Sequence, residues 1–388
     1  MEIPATRAAD HIANNALASD AIRLGNLFGQ GDGLLPLWIA EPYVALAPQV
    51  TAALKARADV GWYGYEARPD DLSEVFWGWM ETRHDWDGSH LYTSVSPSVG
   101  TSIGVLIEQH TEPGNGVILQ PPVFTDFKPL VVAAGRSVVR NALELTDGDY
   151  VIDFEDLEAK AAEPTTRLLI LCNPHNPVGR LWSQSELARV ARICDANDVF
   201  VIADEIHADL GLTPRTFTPF ATAAAESSVS WAATHGPIKT FGLAGVCDTL
   251  LVTDDEQVAK EFRKMSSRLH LTRNNVFAMT AFETAYRTGS DWLDELLELV
   301  AGNVELLTSG LPDGIEIVQP EATYLAWLDF RQLELGVPEL ARWLAAAGLA
   351  LSPGHWFGRE GAGFARMTIA APRPQIEEAI ARLTKAVG

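Results

Sequence analysis

The chain has 388 residues, 47% of them apolar, enough for a large buried core and, on length, for two domains or one large and one smaller. Its 29 basic and 51 acidic residues leave a net charge of −22, which disfavours a nucleic-acid backbone or an anionic membrane as partner, although Arg and Lys gathered in one pocket would still accept a small anion. Cys172, Cys194 and Cys247 are too few and too widely spaced for a disulfide framework or a zinc site. The N-terminus, MEIPATRAADHIANNALASD, lacks a basic start followed by an apolar core, and no later apolar run is long enough to cross a bilayer, so the expectation is a cytoplasmic protein without a metal.

From about residue 50 to 285, short β-branched runs alternate with helical patterns. NGVILQPPVF, SVVRNALEL, RLLILCNP, VFVIADEI and DTLLVTDD read as strands bounded by turn or charged residues. SQSELARVARICDAND opens with a serine, carries Glu186 in its first turn and repeats its apolar residues at helical spacing, which predicts a helix. Such alternation predicts an α/β fold with a mostly parallel sheet and helices on both faces, where ligands sit beyond the carboxyl ends of the strands. After about residue 285 come a long helix through SDWLDELLELVAGNVELLTSGL, strands IEIVQP and TYLAWLDF, a helix PELARWLAAAG and a terminal helix after Pro374. The expected organisation is an N-terminal segment 1–48 joining a small domain, a large domain 49–285 and the C-terminal small domain 286–388.

Three stretches in the large region carry chemistry. LLILCNPHNPVGR ends a buried strand at Asn173 and Asn176, which either close an Asn-Pro turn or donate a hydrogen bond to a phenolate-like oxygen. VFVIADEIHADL runs an apolar strand into Asp204, whose carboxylate needs a cation there, either a protein arginine or a protonated pyridine nitrogen. HGPIKTFGLAG sets Lys239 between rigid flanks, which suits an ordinary loop lysine or one that must offer a neutral amine to a carbonyl. A lysine for an aldehyde, an aspartate for a ring nitrogen and an asparagine for a ring hydroxyl together form the set that pyridoxal phosphate requires.

In the order and spacing of NPHNPVG, DEIHADL and IKTFGLAG the chain resembles fold-type I pyridoxal-phosphate enzymes of the class I/II aminotransferase family. LPLWIAE, GWYGYEARPDDL, TEPGNGVILQPPVF, ATYLAWLDF, SPGHWFG and GFARMTIAAPR narrow the resemblance to the cystathionine β-lyase-like C–S lyases of the MalY and PatB type. His207, three residues after Asp204, points the same way. The resemblance implies a large domain with a seven-stranded sheet, a smaller α/β domain and a homodimer with shared active sites.

By the same resemblance, Lys239 would hold the aldehyde and move the α-proton, and Asp204 would keep the ring nitrogen protonated. Asn176 would bond the ring hydroxyl, Phe124 would stack on the ring and His207 would belong to the cofactor site. Val99, Gly100 and Thr101, at a helix start, would present backbone N–H groups to the phosphate. Tyr65 would reach the phosphate of a neighbouring subunit and take part in catalysis. Arg366 would grip the substrate carboxylate in a two-bond fork, with Ala40 and Asn176 beside it.

Departures stand next to these matches. His235-Gly236-Pro237-Ile238 precedes Lys239 where relatives usually place a serine, so either fewer side chains hold the phosphate or His235 has taken that role. Position 242 is Gly in place of Asn, position 247 is Cys where many aminotransferases have Arg, and WIAEPYV replaces a more acidic, Met-containing segment. The implied reaction is α,β-elimination on an S-substituted cysteine, with transamination second and a decarboxylating or oxidative route of a natural-product pathway third. A regulator that keeps the fold but acts by binding is the contrasting class. Such proteins carry a basic DNA-binding module first, whereas some 35 residues without a basic helix-turn-helix pattern precede LPLWIAE.

Overall fold

The computed structural model describes residues 16–388 except 213 and 215, so the first 15 residues of the expected 1–48 segment lie outside the described residues. Seven strands form the main sheet: β1 (Tyr92–Ser96), β2 (Gly116–Leu119), β3 (Ser137–Arg140), β4 (Thr166–Cys172), β5 (Phe200–Asp204), β6 (Trp231–His235) and β7 (Thr249–Thr253). Their order is β1-β7-β6-β5-β4-β2-β3. Strand β7 runs antiparallel to both neighbours, and the other pairings are parallel. Leu168, Leu169, Ile170 and Leu171 of β4 have no exposed surface, as a strand covered on both faces requires.

Helix α1 (Val99–His110) follows β1, and α2 (Gln184–Ala196) links β4 to β5. Ser183 and Glu186 form a reciprocal capping box at the start of α2. Ser183→Ala removes the cap and should lower unfolding free energy by about 1 kcal/mol, read from denaturant midpoints at unchanged slope.

The sequence expectation fails at SVVRNALEL, which is two strands. Asn141, fully buried, accepts from Gln120 and donates to the Asp153 carbonyl and the Asp156 carboxylate, ending β3. Leu143–Thr146 then pairs with Asp149–Ile152 across Asp147 and Gly148, both at positive φ, the geometry of an Asp-Gly hairpin. Strands β1 and β6 also went unpredicted, since YTSVS and WAATH lack a bulky apolar run.

The later chain contributes α3 (Ser290–Gly310), α4 (Arg373–Val387) and strands β8 (Glu316–Val318), β9 (Leu325–Asp329), β10 (Ser352–Pro353) and β11 (Phe364–Thr368). These strands form an antiparallel sheet in the order β8-β9-β11-β10, and α3 packs against α4. Leu35–Pro36 pairs in parallel with Leu349–Ala350, tying the early chain to this end. One apolar cluster runs from the main sheet into this second sheet, so the groups between the two sheets stand on a continuous packed core. No helix among the described residues is long and apolar enough to cross a membrane.

Candidate active site

The carboxyl ends of β4 and β5, the N-terminus of α1 and the short helix Pro237–Thr240 after β6 converge on a cavity of about 310 Å³. Its lining includes Ser98, Val99, Gly100, Phe124, Asn176, Asp204, His207 and Lys239. This is where an open α/β sheet places a ligand.

Asp204 ends β5 opposite Thr234 of β6, whose hydroxyl donates to its Oδ1 at 3.0 Å, and the Ile206 N–H approaches the same oxygen at 3.3 Å. No protein cation pairs with this 4% exposed carboxyl among the described residues, and burial lifts its pKa to about 6 against those bonds and the Lys239 charge. A cationic ring nitrogen would relieve that cost. The protein-arginine alternative left open by the sequence is therefore not what this site uses.

Lys239 lies in the four-residue helix Pro237–Thr240, and its Nζ donates to the Ala40 carbonyl at 2.7 Å. Burial, reinforced by the Arg366 charge, brings its pKa down to about 8 against the pull of Glu41, Asp204 and Asp126. The amine is thus partly neutral near neutral pH, as a nucleophile for a carbonyl must be. In the cofactor-free protein, the rate at which Lys239 captures an aldehyde should rise with pH through about 8 and level off above it, followed by visible absorbance. A rate that climbs unchanged to pH 10 would contradict the shift.

The NPHNPVG turn fixes Asn176, whose Oδ1 accepts from Arg366 Nη1 at 3.0 Å. Arg366, on β11, also donates from Nη2 to the Trp38 carbonyl at 2.9 Å and lies over the Phe357 ring, while its Nε is buried without a partner. Burial draws its pKa down to about 10. His207 is buried on the cavity wall with Nδ1 unpartnered, and burial, then the Lys239 and Arg366 charges, hold its pKa well below the ordinary value. Orphaned polar atoms at His207 and Arg366, with a buried carboxylate lacking a cation, fit a polar ligand carrying both a cationic and an anionic group.

At the start of α1, Ser98 caps the helix by accepting from the Thr101 N–H at 3.1 Å. Thr101 therefore does not line the cavity, and the expected anion cradle is left to the backbone of Val99 and Gly100, joined by Ser98. A Cβ built on Gly100 would meet no protein atom closer than Ser98 Oγ at 4.0 Å, so packing does not demand the glycine and the backbone stays open. Phe124 stands in the lining with its ring edge-on to Phe127 at 5.4 Å.

Several expected residues lie elsewhere. Tyr65 is 85% exposed, outside the cavity of its own chain, with the Arg273 guanidinium 5.4 Å from its ring. Ala40 and Arg366 are absent from the cavity lining but border it through Lys239 and Asn176. His235 has not moved into the phosphate role: its Nε2 lies 3.1 Å from Glu205, and its ring faces Phe76 and Trp86. Gly242 has φ of 68°, where Asn is the side chain best tolerated, which accounts for that exchange. Cys247 is buried with Sγ 3.8 Å from the Ala278 carbonyl. Sequence reading missed Ser98, Asp126 and Thr234; only Ser98 announced itself, as a cap residue before an apolar helix.

A mostly parallel main sheet with a lysine, an aspartate and an asparagine around one cavity defines an α/β protein built to hold a ring-bearing cofactor. The sequence profile described as Aminotransferase class I and II matches residues 88–383, and the chain belongs to that family. Cystathionine beta-lyase PatB of Bacillus subtilis is 38% identical over 373 residues, covering 94% of this chain and 95% of its own length. Protein MalY of Escherichia coli is 30% identical over 366 residues, 93% of each chain. Among solved structures, cystalysin from Treponema denticola, which contains pyridoxal 5'-phosphate, superposes with a TM-score of 0.90 at 27% identity, over 97% of this chain and 96% of its own. The C–S lyase from Staphylococcus hominis, determined with pyridoxal phosphate bound, gives 0.85 at 26% identity over 99% of this chain and 97% of its own.

Proposed function

We propose that this chain is a pyridoxal-phosphate-dependent C–S β-lyase that cleaves an S-substituted L-cysteine, with water, to a thiol, pyruvate and ammonia. The observation that carries the reading is Lys239, lowered to about 8 and sharing one cavity with the cation-seeking Asp204. The names of the relatives that cover nearly the whole chain support the reaction. When bound, pyridoxal phosphate supplies an aldehyde that condenses with amines and a ring that accepts the electron pair left by a departing α-proton.

Lys239 would hold the aldehyde carbon until the substrate amine takes its place there, and the freed Nζ, steadied by the Ala40 carbonyl, would then be the base for the α-proton. Asp204 would accept the ring N–H. Asn176, whose Oδ1 is taken by Arg366, keeps Nδ2 to donate to the ring oxygen. Phe124 would pack on the ring face, His207 would stay neutral beside it, and the N–H groups of Val99 and Gly100 would hold the phosphate at the positive end of α1. Arg366 binds the substrate carboxylate. Arg366→Lys keeps the charge but loses the fork, and KM should rise about tenfold or more, the factor for one charge-assisted bond of about 1.5 kcal/mol; an unchanged KM would remove Arg366 from substrate binding.

A homodimer belongs to the same proposal. Val60, Trp62, Tyr63 and Tyr65 are all more than half exposed within six residues, an apolar stretch that a second subunit would cover, bringing Tyr65 to the other chain's phosphate. The division into 1–48, 49–285 and 286–388 is supported by the two sheets and by the pairing of Leu35–Pro36 with Leu349–Ala350. Three buried free thiols suit a reducing cytoplasm. The test is incubation with cystathionine and S-alkyl cysteines: thiol and pyruvate in equal amounts without added keto acid establish the lyase, whereas turnover that requires a keto acid establishes an aminotransferase instead.

A further inference from the structure

Behind the cavity, a second cluster of buried polar groups holds the segment that carries Lys239. Asp209, 7% exposed, lies five residues beyond Asp204 in the same DEIHADL stretch and is not among the residues that line the cavity. Its Oδ1 accepts from Trp79 Nε1 at 2.9 Å and from His84 Nε2 at 2.7 Å; its Oδ2 accepts from Thr240 Oγ1 at 2.6 Å. Trp79 and His84 belong to the helix Leu72–His84, and Thr240 is the residue after Lys239. Apolar contacts reinforce the joint: Phe241 packs edge-on against Trp79 at 5.6 Å, and Phe217 against His84 at 5.3 Å.

The helix Pro237–Thr240 is a single turn, so it has no length with which to fix itself. Its placement must come from tertiary contacts. Burial pushes the Asp209 carboxyl up, yet the bond and charge of His84 and the bonds from Thr240 and Trp79 outweigh burial and hold it below the ordinary range. Asp209 is therefore a firmly ionised anchor with three donors. It is not among the charges that set the Lys239 pKa, which are Arg366, Glu41, Asp204 and Asp126.

We infer that Asp209, braced by His84 and Trp79, is a positioning residue that acts through the Thr240 hydroxyl to hold Lys239 in register with the cavity. This rests on the reading of Lys239 as the cofactor lysine. One loop thereby serves both sides of the site: Asp204 and His207 face the ligand, and Asp209 fixes the amine that must meet it.

The test uses the pyridoxal-phosphate-loaded protein and the pair Thr240→Val and Thr240→Ser. Valine keeps the shape and removes the hydroxyl; serine restores it. Thr240→Val should lower kcat about tenfold or more with KM little changed, the signature of a displaced reacting group. Its visible cofactor band should also bleach about tenfold faster in hydroxylamine, because a displaced lysine recaptures the aldehyde less well. Thr240→Ser should restore both values. His84→Phe, which keeps a ring against Phe217, should move both readouts in the same direction and serves if Thr240→Val fails to fold. If Thr240→Val, or His84→Phe in its place, folds and matches the parent in kcat and bleaching, or if serine does not restore what valine loses, the inference is overturned. A visible band that persists in Lys239→Ala would instead overturn the underlying reading of the cavity.

Discussion

Lys239→Ala is expected to abolish the visible absorbance of lysine-bound cofactor and to lower kcat/KM by about a thousandfold or more, since proton transfer by a placed side chain alone contributes roughly 10² to 10⁴. Two properties of the residue meet in this expectation. The amine is fixed, by its bond to the Ala40 carbonyl and by the short turn that carries it, and burial keeps it deprotonable at about 8. Lys239→Arg should fail equally, because a guanidinium keeps its proton and cannot condense with an aldehyde. The check is a spectrum and a product assay on the same preparation; a variant with the band lost but turnover retained would place the chemistry elsewhere.

The second large effect is at Asp204. Asp204→Asn keeps the shape and the contact with the Thr234 hydroxyl but removes the charge, and kcat should fall by about 10² to 10³, the range for deleting one preorganised electrostatic group. Stability should move the other way in the cofactor-free protein. Burial raises this carboxyl from 3.8 to about 6, so the folded chain binds the proton more tightly than the unfolded one. Its cost is absent below pH 3.8, grows through the window up to about 6 and is constant above. The variant carries no such cost and should be the more stable at pH 7 by about 3 kcal/mol, while matching the parent at pH 3.5. Equal stability of the two cofactor-free proteins at pH 7 would mean that the carboxylate already has a compensating partner.

Much of this was legible in the residues because the signals were local. The apolar run before Asn173 and that before Asp204 announce two covered strands, and the polar residue ending each must face the sheet's carboxyl edge. Ser183 with Glu186 announces the start of α2. What remained hidden depended on tertiary pairing. WAATH becomes a central strand only because β5 and β7 flank it, and Thr234 acquires its bond to Asp204 from that register. The break within SVVRNALEL is dictated by Asn141, whose partners at 120, 153 and 156 are invisible to a local reading. Thr101 looked like a phosphate contact, but the Ser98 cap claims its N–H. Asp209 carries no local signal within DEIHADL, because its partners Trp79, His84 and Thr240 lie far from it in sequence.

The most direct measurement is to reduce the pyridoxal-phosphate-loaded protein with borohydride, digest it and locate the added cofactor mass by peptide sequencing. The account predicts a single modified lysine, Lys239, in the peptide containing HGPIKTFGLAG. Modification of another lysine, or none at saturating cofactor, would contradict it.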